Sequence, residues 1–176
     1  MSLVKPCLLV FACPGDGGDT VVLYRGRAEK AGKDSPLIKF YGALDAAIAY
    51  SHKAANALQR PQARVMRLVG FSLMELGFYI ATGRAVHLDN ALELYRRALK
   101  LAYAVAAGPP RSWVACASAE CSAVDEARVW IRWAERRAVS LGERDAAKLL
   151  NHLSNLAFEV MLTTPHIEYR SRPLRG

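Results

Sequence analysis

Helix-breaking residues divide most of this 176-residue chain into five segments, and their spacing limits the folds open to it. Ser35 and Pro36 form a helix start, because a serine caps the first turn and a proline is tolerated within it. Breaks then recur at Pro61, Gly83, Gly108-Pro109-Pro110 and Gly142. The breaks predict five helices, over about Pro36 to Leu58, Pro61 to Thr82, Leu88 to Ala107, Ala119 to Leu141 and Glu143 to Leu162.

The five segments carry apolar residues at helical spacing, so each has a face to bury. Strand signals are confined to residues 2–13, which end at Pro14, and to Val21 to Tyr24. We therefore predict an all-α protein with a single domain. Its parts are an N-terminal strand and loop (1–34), a five-helix bundle (35–162) and a basic C-terminal tail (163–176). The tail is expected to be frayed, or ordered by a partner.

The charge of the chain favours anionic partners, since the formal charge is +8 and the isoelectric point is near 9.6. Aromatic residues lie in apolar runs instead of alternating with Lys and Arg, which argues against nucleic acid. A nucleic-acid-binding bundle using Arg96, Arg97 and the C-terminal arginines would rest on net charge alone. No run approaches the roughly 18 apolar residues of a transmembrane helix, so we expect no membrane partner.

The four cysteines, Cys7, Cys13, Cys116 and Cys121, form no Cys-x-x-Cys pair and have no histidine at ligand spacing. A zinc site is therefore not expected. The simpler inference is a set of reduced thiols in an intracellular compartment. The apolar run before Cys13 is too short for a signal peptide, so we predict a cytoplasmic protein.

The most unusual polar pattern lies in the fourth predicted helix, over Asp125 to Arg136. At roughly 3.6 residues per turn, one stripe of that helix holds Arg128, Arg132, Glu135 and Arg136. Three guanidiniums around one carboxylate suit the binding of a phosphate or carboxylate, which arginine grips in a fork-like manner. A solvated ladder of ion pairs explains the same pattern if the helix is taken alone.

Other polar residues are candidates for the same site. The loop Gly15-Asp16-Gly17-Gly18-Asp19-Thr20 can turn backbone N–H groups toward an anion, although it has neither P-loop nor Rossmann spacing. Asp45 lies on a largely apolar helix and needs a cationic partner. Asn151 and Asn155, about one turn apart beside an apolar flank, indicate directed hydrogen bonds. His52 is interpreted as a structural histidine in the core or an interface.

Four blocks occur together in the order and at the approximate spacing of one family. Gly15 to Thr20 is similar to its Thr-Gly-Asp-Asp-Gly-x-Thr loop, and Lys33-Asp34-Ser35 with Tyr41-Gly42-Ala43-Leu44-Asp45 is similar to its Lys-Asp … Tyr-Gly-x-x-Asp-Glu-Leu segment. Arg128 to Arg136 is similar to its Arg-x-x-x-Arg-Arg-Ala-Glu-Arg block, and Leu150 to Phe158 to the Leu-Asn-Arg-Leu-Ser-Asp-x-Leu-Phe block that follows. The chain thus resembles the ATP:cob(I)alamin adenosyltransferases of the propanediol-utilisation type.

The resemblance implies a ferritin-like five-helix bundle that assembles as a homotrimer, with sites between neighbouring subunits. It implies transfer of the 5′-deoxyadenosyl group of ATP to cob(I)alamin, with release of triphosphate. Asp45 would pair with Arg128 across the interface and act with Arg132 in catalysis. ATP, carrying Mg²⁺ on its phosphates, would be bound by Gly15, Asp16, Gly17, Gly18, Thr20, Lys33, Arg128, Arg132, Glu135, Arg136 and Asn151. Cobalamin would be the second substrate.

The chain also departs from that family's pattern. Pro14 stands where the family has Thr, Leu37 where it has Arg, and Lys39 and Ala46 where it has acidic residues. Asp125 stands where the family has His, Trp133 and His152 where it has Arg, and Asn155 where it has Asp. The family's Phe-x-x-Pro-Gly-Gly connector, whose Phe helps to remove the lower ligand of cobalamin, is not legible, and Trp113 is the nearest aromatic stand-in. An alternative is therefore a non-catalytic relative that binds ATP or another polyanion on the same fold.

Overall fold

The computed structural model describes residues 13, 15–105, 108, 110 and 112–170. The helices of these residues are, in chain order, α1 (Pro36–Ala57), α2 (Gln62–Thr82), α3 (Ala85–Tyr103), α4 (Ala119–Ser140) and α5 (Arg144–Leu162). The predicted bundle of five helices is confirmed. Four of the helices begin and end within one residue of the predicted bounds. The Ser35 hydroxyl caps α1 as expected, since it accepts a hydrogen bond from the Ile38 N–H at 3.4 Å.

The third predicted helix was placed too far along the chain. α3 begins at Ala85 after Arg84, whose extended backbone forms the N-cap without a side-chain hydrogen bond. The predicted start at Leu88 therefore lies inside the helix, three residues after its first residue. α3 ends at Tyr103, and the predicted end at residue 107 lies outside the described residues.

The helices pack as an antiparallel bundle in which α1 contacts α2 and α4, α2 contacts α3, and α4 contacts α5. The direction of α4 against α1 follows from two contacts. Tyr50 stacks on Trp130 with ring centroids 6.0 Å apart, and Lys53 Nζ lies 2.7 Å from Glu126 Oε2. The largest fully buried side chains of the core include Phe40, Leu44, Met66, Leu73, Leu76, Ile131 and Leu150. Each such side chain stabilises the fold by roughly 1.5–3 kcal/mol.

Helix α2 is long and apolar enough, by length and composition alone, to meet the criterion for a membrane span. Half of its most apolar window is buried inside the bundle, and its buried residues include Val65, Met66, Leu73 and Ile80. Its packing is that of a core helix, so this criterion is weak evidence of a span.

Two antiparallel strand pairs flank the bundle. Strands β1 (Asp19–Tyr24) and β2 (Arg27–Gly32) form a hairpin, which confirms the extended segment expected at Val21 to Tyr24. Strands β3 (Trp113–Cys116) and β4 (His166–Tyr169) pair with each other, Trp113 opposite Tyr169. The strand expected over residues 2–13 lies outside the described residues, apart from Cys13.

The β3–β4 pair shows that the first part of the tail is not frayed, because residues 166–169 form backbone hydrogen bonds with residues 113–116. Residues 171–176 lie outside the described residues. Both strands are only four residues long and are far apart in sequence, so neither carries a local signal strong enough to predict it.

The expectation of reduced cysteines is wrong for three of the four residues. Cys116, at the end of β3, forms a disulfide with Cys121 in the first turn of α4, and their Cα atoms are 5.3 Å apart. Cys13 is also disulfide-bonded. The turn capped by Ser118 brings Cys116 back over the helix start, a proximity that spacing alone does not reveal.

Candidate functional site

The glycine loop and Lys33 are brought together by the base of the β1–β2 hairpin. The Lys33 N–H donates to the Gly18 carbonyl at 2.8 Å. A Cβ atom at Gly15, where φ is +98°, would lie 3.7 Å from Lys33 Nζ and 3.0 Å from the Asp19 carbonyl oxygen. Only glycine fits this close approach without strain. The ammonium group therefore lies beside the loop, as required of two parts of one anion site.

The remaining residues of the loop are partly used to hold its shape. Asp16 accepts a hydrogen bond from the Cys13 N–H through Oδ2, at 2.6 Å. Thr20 lies in β1 opposite Ala31. Gly17 and Gly18 face open space, since a Cβ atom at either would meet nothing within 4 Å. The exposed backbone at these two glycines is what a phosphate group could approach.

The tip of the hairpin is anchored to the end of the bundle by residues that the sequence did not single out. Glu143, in the α4–α5 turn, is 6% exposed and accepts from Tyr24 Oη at 2.7 Å and from Arg25 Nε at 3.1 Å. The Arg25 guanidinium lies over the Tyr79 ring, 4.6 Å from its centroid. Burial opposes the charge of Arg25, but Tyr79 and Glu143 raise the pKa of its guanidinium above the ordinary value. The hydrogen bond to Glu143 raises the pKa of the Tyr24 hydroxyl.

The predicted arginine stripe exists on α4, and each of its three arginines has an intrachain contact. Arg128 Nε and Nη2 both lie 2.7 Å from Asp125 Oδ1. Arg132 Nη1 lies 3.5 Å from Glu135 Oε2, within ion-pair range but without hydrogen-bond geometry. Glu135 Oε2 is therefore a buried acceptor without a hydrogen-bond donor in the described part of the chain. An acceptor of this kind is costly to leave unpaired, so this turn of α4 is suited to a further donor.

Arg136 differs from the other two arginines of the stripe. Its guanidinium lies 4.9 Å from the centroid of the Trp133 ring, and that of Arg137 lies 5.0 Å from the same centroid. Trp133 stands where the family pattern has an arginine, and its side chain is 41% exposed. The ring thus holds two cations by cation–π contact at a position where the family has an arginine.

A cleft of about 370 Å³ joins the start of the stripe to Trp113. It is lined by Ser112, Trp113, Val114, Asp125, Arg128, Phe158 and Met161. Trp113 is 82% exposed, and Arg128 Cζ lies 6.0 Å from the centroid of the Phe158 ring. The cleft therefore combines the Arg128–Asp125 ion pair with apolar walls, and the exposed Trp113 ring offers surface to an apolar ligand. Sequence reasoning missed Met161 and included Phe158 only as the end of the Leu150 to Phe158 block.

Asn151 lies beside the middle of the stripe. α4 and α5 are antiparallel neighbours joined by a short turn, with Arg128 opposite Phe158. Two helical turns onward from Arg128 lead to Glu135, and two turns back from Phe158 lead to Asn151. The half-buried Asn151 and the carboxylate of Glu135 are therefore at the same level of adjacent helices.

Asp45 is exposed and forms no hydrogen bond or ion pair within the described residues. Tyr50 on α1 lies opposite Trp130 on the antiparallel helix α4. Asp45 on α1 is therefore at the level of Glu135 on α4. That level is roughly 10 Å along the bundle from Arg128, at about 1.5 Å per residue. The chain alone therefore does not bring Asp45 to Arg128, and pairing of the two residues across an interface stays a prediction.

The described residues thus form two separate groups of predicted site residues. Lys33 and the Gly15–Thr20 loop make one group at the hairpin base, while Arg128, Arg132, Glu135, Asn151 and Trp113 follow the α4–α5 face. No hydrogen bond or ion pair of the described residues joins the two groups. Among the same residues, no cluster of three or more His, Cys, Asp or Glu side chains could hold a metal ion.

The chain is thus a helical bundle that combines an arginine stripe, a glycine loop beside a lysine, and a cleft with aromatic walls that holds the Arg128–Asp125 ion pair. The chain belongs to the cobalamin adenosyltransferase family, which its sequence matches over residues 10–164. This match confirms the family inferred from the resemblance. No similar protein was found among curated proteins.

Solved structures of similar fold include PduO-type ATP:corrinoid adenosyltransferase variants from Lactobacillus reuteri. Two of them, complexed with cobalamin and ATP, superpose with TM-scores of 0.67 and 0.68 and cover 89% of this chain and 97% and 94% of their own. A third, complexed with ATP, has a TM-score of 0.62 and covers 89% of this chain and 97% of its own. All three are 19% identical to this chain, so the likeness confirms the predicted fold class.

Proposed function

We propose that this protein is an ATP:corrinoid adenosyltransferase, which moves the 5′-deoxyadenosyl group of ATP to reduced cobalt and releases triphosphate. The observation that carries the proposal is the cleft, because it places Arg128 beside the exposed ring of Trp113 at one end of the arginine stripe. A site for this reaction needs cations for a triphosphate next to apolar surface for a corrin ring. Family membership supports the same reaction.

The proposed reaction requires the protein to position the two substrates and to stabilise the charge that develops on the triphosphate. The cobalt of the reduced corrinoid supplies the electron pair that forms the bond to C5′, and the C5′–O bond breaks with its electrons leaving on the triphosphate. The protein therefore needs no activated serine or cysteine. Arg132, with Glu135 and Asn151 beside it, would bind the phosphates and stabilise the charge on the departing oxygen. Lys33 and the backbone of the Gly15–Thr20 loop would bind the same phosphate chain.

We propose that magnesium enters this site bound to ATP and not to the protein. The carboxylates nearest the loop have partners within the chain, since Asp16 accepts from the Cys13 N–H and Asp19 lies 2.9 Å from Lys30 Nζ. We propose that Mg²⁺ is held by the phosphate oxygens, as is usual for a cation that keeps much of its water shell. When bound, it would neutralise part of the phosphate charge.

We further propose a homotrimer in which the site is completed between subunits. The first supporting observation is that Asp45 is exposed and has no ion-pair or hydrogen-bond partner among the described residues. The second is that no hydrogen bond or ion pair joins the described loop residues to the arginine stripe. Sedimentation analysis tests this proposal: a trimer is expected for the protein, with weaker association for Asp45→Asn. A stable monomer that is fully active would contradict it.

The cytoplasm is the proposed location, because ATP is abundant there. The Cys116–Cys121 disulfide is unusual for that compartment in most organisms. Cell fractionation with an antibody to the protein tests the location directly, and recovery outside the cytoplasmic fraction would contradict it.

One observation favours a second candidate, a non-catalytic relative that binds ATP or another polyanion. Trp133, at a position where the resemblance has an arginine, sequesters Arg136 and Arg137 in cation–π contacts. Replacements at Leu37, Ala46 and Asn155 point the same way. Such a protein would bind the phosphate chain without aligning it for transfer.

The test combines the purified protein, MgATP and chemically reduced cobalamin under anaerobic conditions. Appearance of the adenosylcobalamin absorbance spectrum is expected. Binding of ATP without turnover would favour the second candidate, and absence of ATP binding would contradict both. Arg132→Ala is expected to abolish ATP binding or turnover with unchanged helical content. The matched control is Arg97→Ala, which removes one exposed arginine from α3 and should leave turnover unchanged.

A further inference from the structure

A second group of arginines lies outside the proposed site, where α1 turns into α2. Arg60 precedes the helix, and Arg64 and Arg67 lie on its first two turns, three residues apart and on one face. Together with Ala63 they line a concavity of about 440 Å³. It shares no lining residue with the cleft at Trp113 and Arg128.

These three arginines differ from those of the α4 stripe in their partners. No carboxylate lines the concavity, and no carboxylate of the described residues forms an ion pair with any of the three. Within the described part of the chain, their one polar side-chain contact is a hydrogen bond of 3.3 Å from Arg67 Nη2 to Asn56 Oδ1. Asn56 is neutral, so it orients Arg67 without cancelling its charge. Three like charges around one concavity repel each other unless an anion joins them.

The start of α2 adds to the positive potential at this place. Pro61 is its N-cap residue and provides no side-chain acceptor, and the first turn holds no acidic residue. The Ala63 N–H donates to the Gln59 carbonyl at 2.9 Å, but no acidic or capping side chain of the described residues offsets the positive end of the helix. In contrast, α4 has a capping hydroxyl at Ser118 and Glu120 in its first turn.

The field of this group reaches a neighbouring histidine. Burial, followed by the charge of Arg67, lowers the pKa of His52 below its ordinary value. The His52 ring lies against α2: its centroid is 5.4 Å from that of Phe71, and a Cβ atom at Gly70 would lie 2.8 Å from its Cε1. His52 can therefore report, through its titration, whether the charge of Arg67 has been neutralised.

We propose that Arg60, Arg64 and Arg67 form a second anion site, which binds an oligophosphate at the α1–α2 turn. Each guanidinium presents a planar fork that can hold two phosphate oxygens, so three forks match an anion with several phosphate groups. The concavity has room for such a chain. The source of the anion is either free inorganic oligophosphate or the phosphate tail of a nucleotide, and the two share this chemistry.

The experiment follows the titration of His52 by NMR at low ionic strength, in full-length protein carrying Arg132→Ala. That background weakens the proposed active site, so binding at the α1–α2 turn is observed by itself. Saturating tripolyphosphate is expected to raise the His52 pKa, because the bound anion cancels the field of Arg67. A second arm with ATP distinguishes the sources: a shift with both ligands assigns the site to phosphate tails, and a shift with tripolyphosphate alone assigns it to the free anion.

Two variants complete the test. Arg64→Ala is expected to weaken tripolyphosphate binding by about tenfold or more, since it removes charge-assisted hydrogen bonds. Arg60→Ala should act in the same direction. Arg97→Ala removes the same charge from an exposed position on α3 and is expected to change the affinity less than about twofold. No change in the His52 titration with either ligand, or equal losses for Arg64→Ala and Arg97→Ala, would overturn the proposal. The readout needs no turnover, so it holds whether or not adenosyl transfer is observed.

Discussion

Arg25 and Glu143 form an ion pair across 118 residues of sequence, and it joins the tip of the β1–β2 hairpin to the α4–α5 turn. The backbone at the tip fits the same place, because the N–H groups of Arg25 and Gly26 donate to the carbonyls of Ile80 and Ala81. The opposite end of this hairpin carries the Gly15–Thr20 loop. One buried carboxylate thereby sets the position of the proposed phosphate loop against the bundle.

Glu143→Gln is therefore predicted to lower the free energy of unfolding by about 1–3 kcal/mol, since a partly buried guanidinium loses its charged acceptor. Denaturant unfolding followed by circular dichroism measures this change. The matched control is Glu93→Gln, which removes a surface pair with Arg96 at 3.7 Å and should cost about 0.5 kcal/mol or less. Equal effects of the two substitutions would show that the Glu143 pair does not hold the hairpin.

The stability of the protein is predicted to fall as the pH rises from about 10 to about 12, and Tyr41 is a cause. Burial, followed by the nearby Tyr24 and Glu143, raises the pKa of Tyr41 from 10.0 to about 12. The folded protein therefore keeps a proton that the unfolded chain loses earlier. The contribution of the Tyr41 hydroxyl to the free energy of unfolding is fully present below pH 10 and is lost as the pH approaches 12.

The measurement is thermal unfolding at several pH values across that window. Tyr41→Phe lacks the hydroxyl that donates to the Leu23 carbonyl at 2.7 Å, so it should be less stable at pH 8 but show a smaller loss between pH 10 and 12. Tyr103→Phe changes an exposed tyrosine and should follow the unmodified protein. An identical pH profile for the two variants would contradict the prediction.

Local signals explain what the sequence could predict. The capping hydroxyl of Ser35 and the break at Gly83 act within one helical turn, so helix bounds near them were predicted to within a residue. The arginine stripe was predictable because helical spacing alone brings Arg128, Arg132 and Glu135 together. No capping side chain marks the start of α3 at Arg84, and the predicted start of α3 was wrong.

The unpredicted features depend on contacts between distant segments. Arg25 and Glu143 are ordinary charged residues in turns, and nothing in either turn identifies the other. The pairing of Trp113 with Tyr169 depends on how the bundle brings two short strands together.

The Cys116–Cys121 disulfide is predicted to stabilise the protein by about 2 kcal/mol, the value expected from closing so short a loop. Reductant should therefore lower the unfolding temperature. Because Cys13 is disulfide-bonded too, the comparison needs a variant with Cys116→Ala and Cys121→Ala. Reductant should lower the unfolding temperature less in that variant than in the unmodified protein. The same shift in both would show that this disulfide contributes nothing.

Trp113 is predicted to act on the corrinoid and not on ATP. Its ring is 82% exposed in the chain and borders the cleft that contains Arg128, so it is free to pack against a large apolar ligand. Burying such a ring contributes roughly 1.5–3 kcal/mol, so Trp113→Ala should raise the KM for the corrinoid by about tenfold or more. Stability and the affinity for ATP should stay nearly unchanged. Tyr103→Ala, which removes another exposed aromatic ring outside the cleft, should leave both constants unaltered. A loss of ATP affinity in Trp113→Ala that matches the loss for the corrinoid would instead place the nucleotide at this end of the stripe.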